Sequence, residues 1–305
     1  MSPAGGPRVR VTVEGRELEL SNLDKVLYPE AGFTKGEVIH YYTAVAPVLL
    51  PHLADRALTR IRYPDGVAAG SFFEKNAPAA TPAWVRTHTL PVPGSSRGRE
   101  TLDYVVADDL PTLVWLANLA AIELHTPQWR IGADPDLLVV DLDPGPPAGL
   151  PDCARTALAV ADLMAADGLA PLPKTSGRKG MQLAAAVSGR QSAEVVSGYV
   201  RRIAQRLARE RPAEVTATMA RRLRTGKVFL DWSQNNAAKT TVAPYSLRGG
   251  PSPTVSTPLT WDEVRALADG AAPARMASPA EALARAAAGD LWAPLLAAGP
   301  SVPTG

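Results

Sequence analysis

The stretch Leu137-Leu138-Val139-Val140-Asp141-Leu142-Asp143-Pro144-Gly145 constrains this chain more than any other. Its five apolar residues are interrupted only by Asp141, and Asp143 precedes a Pro-Gly turn signal, so the segment reads as a core strand. Strand side chains alternate, which puts Asp141 and Asp143 on one face while Val140 and Leu142 enter the other. Two unpaired carboxylates so close repel, and the arrangement costs energy unless a cation, a proton or a basic side chain lies between them. A divalent metal is the reading richest in chemistry. A pair of solvated carboxylates at a strand end is the plainer one, and the rest of the chain has to choose between them.

The 305 residues are enough for one large domain or two lobes, and 46% hydrophobic with 20% charged content is a globular balance. Net charge is only +2, so any phosphate or nucleic-acid site must come from local clustering of Lys and Arg. The single cysteine, Cys153, excludes an internal disulfide and fits a reducing cytosol; its Ala-rich helical setting reads as a small buried thiol. With no early apolar h-region and no run of about 18 apolar residues, the expectation is a cytoplasmic protein with no membrane contact.

Residues 1–8 read as a disordered Pro/Gly tail, and Val9 to Leu20 as a hairpin about Gly15-Arg16. Ser21-Asn22-Leu23-Asp24-Lys25 has the look of a helix start, and Thr34 that of a cap for a helix from Lys35 to Leu50. Residues 58–75 predict a hairpin or loop-rich edge carrying Arg60, Arg62 and Lys75 around Phe72-Phe73. Rings that stack on bases beside cations that meet phosphates suit an unpaired nucleic-acid end, though the same pair could tuck under a loop. A polar loop is expected over 92–100 and an apolar helix from Asp109 to His125. Farther on come a helix ending near Arg211, strands at 226–233 and 240–246, and two amphipathic helices, Pro258 to Leu267 and Pro279 to Leu296. The expected organisation is a catalytic domain over 9–268 and a helical, Pro-rich extension over 269–305.

Three further stretches concentrate reactive residue types. Lys174-Thr175-Ser176-Gly177-Arg178-Lys179-Gly180 can cradle a phosphate with backbone N–H groups and a lysine, without Walker A spacing. Arg224 and Lys227 lead to Asp231-Trp232-Ser233-Gln234, where Asp231 ends an apolar strand and is a candidate third carboxylate. Pro244-Tyr245-Ser246-Leu247-Arg248 ends in an arginine suited to a triphosphate. Three hard oxygen ligands with several cations suggest two-metal phosphoryl transfer. No Ser-His-Asp set is evident, and the four histidines lack zinc spacing.

Read together, SNLDKVLYP (21–29), FFEK (72–75), HTPQWR (125–130), DLDPG (141–145), TSGRKG (175–180), GKVFLDWSQN (226–235) and KTTVAPYSLRG (239–249) resemble the polymerase domain of bacterial multidomain DNA ligase D. That domain belongs to the archaeo-eukaryotic primase superfamily and acts in non-homologous end joining; the actinobacterial versions are the most similar. The resemblance implies an α/β (α+β) primase-polymerase fold, with a mixed, largely antiparallel catalytic sheet flanked by helices and two closely packed lobes. It implies Asp141, Asp143 and Asp231 as catalytic carboxylates holding two Mg or Mn ions. Ser176, Lys179 and Arg248 would hold the triphosphate of an incoming NTP or dNTP, with His125, Gln182, Arg224 and Gln234 lining the pocket. Lys25 and Lys35 match the lysines that recognise a 5′-phosphate at a DNA gap or break, and Phe72, Phe73 and Lys75 lie at the template. Ku and a DNA ligase are the implied partners, and the bacterial nucleoid the implied location. Two departures stand out: Gln182 where the family usually has His, and Ile61 where a lysine is frequent. The chain is expected to be a stand-alone polymerase that fills gaps and extends 3′ ends. A catalytically weak end-binding module is the alternative reading, and a two-metal nuclease a lesser one, since a hydrolase has less use for triphosphate-facing cations.

Overall fold

The computed structural model describes residues 7–92 and 98–304. Most of the expected N-terminal tail, and the middle of the polar loop expected over 92–100, therefore lie outside the described residues; Arg8, placed in that tail, already opens a strand. Strands β1 (Arg8–Val13) and β2 (Arg16–Ser21) form the anticipated hairpin. The helix expected after Ser21 is absent. Asn22 takes a left-handed φ of 54°, the chain turns, and β3 (Val26–Tyr28) pairs with β4 (Phe33–Thr34). Backbone bonds from Lys35 to Lys25 and from Gly36 to Leu23 fasten this turn to the next helix, a tertiary constraint that overrides the local cap signal.

Helix α1 (Lys35–Leu53) begins as its sequence demands, with Thr34 and Glu37 in a reciprocal capping box. Strands β5 (Thr59–Arg62) and β6 (Phe72–Glu74) pair antiparallel, and β7 (Thr87–Pro91) pairs with β8 (Thr101–Val105). Only the first half of the helix expected from Asp109 forms, as α2 (Leu110–Asn118), N-capped by Asp109. Ala120 then turns left-handed at φ 55°, and β9 (Ala121–Thr126) runs between β5 and β15 (Thr241–Val242). The apolar run there is ambiguous on its own, and ladder bonds to two distant strands decide it.

The second sheet carries the aspartates. In chain order its elements are β10 (Leu137–Pro144), α3 (Leu150–Ala166), β11 (Leu172–Thr175), β12 (Met181–Ala186), α4 (Ala193–Glu210), β13 (Val215–Thr216) and β14 (Val228–Asp231). Its strand order is β11-β12-β10-β14-β13, antiparallel except for β13 beside β14. Leu138, Val140 and Leu142 are fully buried in a core that includes Cys153 of α3 and Val196, Val200 and Ile203 of α4. Each contributes roughly 1.5–3 kcal/mol by leaving water, which fixes the sheet face that Asp141 and Asp143 must avoid. A separate core gathers α1, α2 and β9.

Two short strands, β16 (Leu247–Arg248) and β17 (Thr254–Val255), pair with each other and precede α5 (Trp261–Ala268) and α6 (Pro279–Ala287). The last helix is shorter than its periodicity suggests, ending at Ala287 before a 3-10 turn over Ala293–Leu296. Trp292 and Leu295 of this closing segment pack on Val139 and Ala184, on the aspartate-bearing face of the second sheet.

Candidate active site

The register of the second sheet draws four polar residues into one row. Lys174 on β11 lies opposite Gln182 on β12, Gln182 opposite Asp141 on β10, and Asp141 opposite Asp231 on β14. Directly opposed residues of antiparallel strands share a face, so all four side chains leave the same side of the sheet. Asp143 follows two residues along, opposite Phe229. Asp141 accepts a 2.9 Å bond from Gln182 Nε2 and has two carboxylate neighbours, Asp143 and Asp231. Burial, then the neighbouring Asp143 and Asp231, push its carboxyl above the usual range, against the hydrogen bond from Gln182.

These donors fit a hard divalent cation in kind, since all three are carboxylates. Their convergence is incomplete. Asp231 has Oδ1 engaged by the backbone N–H and hydroxyl of Ser233 and Oδ2 by Gln234 Nε2 at 2.8 Å. Among the described residues no three Asp, Glu, His or Cys side chains are grouped closely enough to hold an ion as they stand. Asp141 and Asp143 would hold it, and Asp231 would join by exchanging its Gln234 bond for the metal. Arg224 lies at the same end of the row, its guanidinium 3.6 Å from the Phe229 ring and bonded to the Met219 carbonyl.

The turn from β11 to β12 approaches from the other end. Ser176 Oγ accepts the N–H groups of Arg178 and Gly180 at 3.3 and 3.1 Å, closing a tight loop with Lys179 at its rim. Gly180 could bear no side chain, because a Cβ would fall 2.1 Å from the Leu142 carbonyl. Gly177, at φ +72°, would drive a Cβ to 2.5 Å from Arg248 Cγ. The loop is therefore clamped between the aspartate strand and the arginine.

Arg248 and His125 come from the first core and meet at a residue the sequence reading overlooked. Glu123, fully buried on β9, accepts four hydrogen bonds, from Tyr63, Arg178 and the Gly249 N–H on Oε1 and from His125 on Oε2, at 2.7 to 3.0 Å, and its Oε2 pairs with Arg248 at 3.1 Å. Burial alone would raise its carboxyl, but the bond from His125 and the charges of Arg248, His125 and Arg178 bring it down to about 2. The available signal was Glu123-x-His125: on a strand two such residues share a face, whereas the helix expected there separates them. Arg248 also feels the charge of Asp141, and His125 that of Lys174, so the two halves of the pocket adjoin.

The expected DNA-facing residues form a different patch. Phe72 and Phe73 are 43% and 55% exposed, which excludes the tucked-under alternative; Arg62 lies 5.0 Å over the first ring and Lys75 5.9 Å over the second. Lys25 pairs with Asp65 at 2.8 Å beside a cavity of about 360 Å³ lined by Pro7, Asn22 and Asp24. Lys35 is buried and donates to the Ser21 carbonyl at 2.6 Å. Burial, with Lys25 and Arg62 nearby, brings its amine down to about 8. No helix is long and apolar enough to cross a membrane among the described residues.

Comparison with known proteins identifies the family. The family model described as LigD, primase-polymerase domain, matches residues 34–292. The multifunctional non-homologous end joining DNA repair protein LigD of Mycobacterium tuberculosis is 43% identical over 259 residues, covering 82% of this chain and 34% of that protein. The bifunctional LigD of Bacillus subtilis is 34% identical over 251 residues, covering 82% and 40%. The solved polymerase domain of M. tuberculosis ligase D in complex with DNA superimposes with a TM-score of 0.85 at 42% identity, covering 94% of this chain and 99% of that one. The chain thus spans a third to two fifths of the length of these full-length relatives.

Proposed function

The chain belongs to the LigD primase-polymerase family, a family of DNA nucleotidyltransferases, and on that premise we propose that it adds nucleotides at DNA gaps and ends bearing a 5′-phosphate. The observation that carries this reading is the juxtaposition of an under-neutralised carboxylate row with the cation-bearing Ser176–Gly180 loop and Arg248. Bound Mg or Mn would lower the pKa of an attacking 3′-hydroxyl and neutralise the departing pyrophosphate. For its part the chain would orient the triphosphate through Ser176, Lys179 and Arg248, and line the nucleotide pocket with His125, Gln182, Arg224 and Gln234. Lys25 and Lys35 would meet the 5′-phosphate, and Phe72 and Phe73 would stack on template bases with Lys75 beside them. Double-strand break repair by end joining, next to Ku and a ligase, is the setting that the relatives' names suggest.

Extension of a labelled primer on gapped DNA, with and without the 5′-phosphate and with Mn or Mg, tests this directly. Extension that rises with the 5′-phosphate and falls roughly a thousandfold in Asp141→Ala/Asp143→Ala is expected. A second reading, an end-binding module with weak catalysis, draws on the engaged oxygens of Asp231 and on the uncharged Gln182. Tight phosphate-dependent binding without extension would favour it and overturn the polymerase.

A further inference from the structure

Lys174 is the one member of the polar row that the proposed chemistry leaves without a task. It is 1% exposed, and its Nζ donates to Gln182 Oε1 at 2.6 Å and to Ser256 Oγ at 2.5 Å. Ser256 Oγ donates its own hydrogen bond to the Thr175 carbonyl at 2.9 Å, so towards the lysine it acts as acceptor. Above the ammonium, 5.5 Å away, lies the ring of Trp292, itself pinned by a bond from its indole N–H to the Pro173 carbonyl. The Gln182 atom facing the amine is its carbonyl oxygen, which accepts the lysine's N–H. The amide's other end, Nε2, is thereby turned to Asp141 Oδ1. Without that constraint the amide is held from one end only and can rotate away from the carboxylate.

We propose that Lys174 is a positioning residue of the aspartate site: by fixing the Gln182 amide it keeps a donor on Asp141 and holds that carboxylate in the orientation a divalent cation needs. The lysine acts one link behind Gln182, under the Trp292 ring of the closing segment of the chain. The inference rests on the reading of Asp141 as a cation ligand.

A double-mutant cycle reads it without recourse to activity. Mn²⁺ binding is followed by loss of the free-ion electron paramagnetic resonance signal in wild type, Lys174→Met, Gln182→Met and the double variant. Each single change is expected to weaken Mn²⁺ binding by about tenfold, as loss of an outer partner of a metal ligand does. The double variant should bind no more weakly than Gln182→Met alone, because the lysine acts only through the amide. A purely structural lysine would lower the melting temperature in either background and leave the affinity as it was. Wild-type affinity in Lys174→Met, or additive losses in the double variant, overturns the proposal. Should Lys174→Met not fold, the double variant, in which two apolar side chains replace the bonded pair, still decides through its comparison with Gln182→Met. A wild-type protein that neither binds Mn²⁺ nor extends a primer would overturn the site reading and this inference together, a result visible without any variant.

Discussion

Glu123 and Asp141 are both acidic residues on interior strands, and their surroundings are opposite. Glu123 has five polar partners on its two oxygens, among them Arg178, Arg248 and His125, and its charge is answered within the protein. Asp141 has one amide donor and two carboxylate neighbours. The first arrangement is that of a structural anchor, which gathers His125, Arg178 and Arg248 from separate segments into one wall of the pocket. The second carries a cost that the Gln182 hydrogen bond and the nearby Lys174 offset only in part, which is the balance expected of a carboxylate proposed to receive a cation. The difference teaches that charge balance within the pocket, more than the identity of its residues, separates what supports the site from what reacts in it.

The comparison breaks most decisively at Asp143. Asp143→Asn is expected to lower primer extension roughly a thousandfold while raising the apparent stability of the metal-free protein by about 1 kcal/mol, since it relieves like-charge repulsion. Extension assays and thermal melts in a chelating buffer check both; a destabilised Asp143→Asn would place Asp141 and Glu123 in the same class. Glu123→Gln should have the opposite effect on stability. Removing a buried charge whose cationic partners stay behind costs about 3 kcal/mol, readable by urea denaturation, and it should weaken nucleotide binding through the freed Arg248 and His125.

The pH dependence of stability sharpens the contrast, because the two signs differ. Glu123 has a folded value of about 2, below the ordinary 4.5. Its contribution, on the order of 3 kcal/mol, is therefore complete above about 4.5 and is lost as pH falls towards 2; Glu123→Gln should flatten that acid limb. Asp141 has a raised folded value, so its contribution is complete at low pH and is lost as pH rises through that value. Metal-free protein should accordingly lose stability on approaching neutrality, and Mn²⁺ should restore it. The smallest effect concerns Lys35, a buried cation with like-charged neighbours and a mirror image of Asp141. With its amine near 8, the preference for 5′-phosphorylated over unphosphorylated DNA ends should shrink by a few-fold between about pH 7 and 9 as the proton is lost, measurable by fluorescence anisotropy.

Legibility in the sequence followed the range of the interactions. The Thr34 cap of α1 adjoins the helix it starts, the alternation of β10 repeats every second residue, and the Phe72-Phe73 pair stands between basic residues on its own hairpin; each was visible as a local pattern. The helix expected after Ser21 and the overlong helix from Asp109 failed where local propensity met distant partners. Lys35 and Gly36 fasten the first segment into a turn, and β5 and β15 claim the end of the second as a strand.

The site divides along the same line. By itself the sequence determined that Asp141 and Asp143 share a face, that a tight glycine-bearing loop precedes Gln182, and that the motifs together belong to one family. Only the tertiary structure decided that Lys174, Gln182, Asp141 and Asp231 form one row, that Asp231 is engaged by Ser233 and Gln234, and that Glu123 answers Arg178 and Arg248. The physical reason is that these relations depend on strand register and on burial. Ser256 lies 82 positions from Lys174, and Glu123 lies 126 from the backbone N–H of Gly249 that it accepts. No periodicity within a segment encodes which remote partner will arrive opposite a buried charge; the packing of whole strands does.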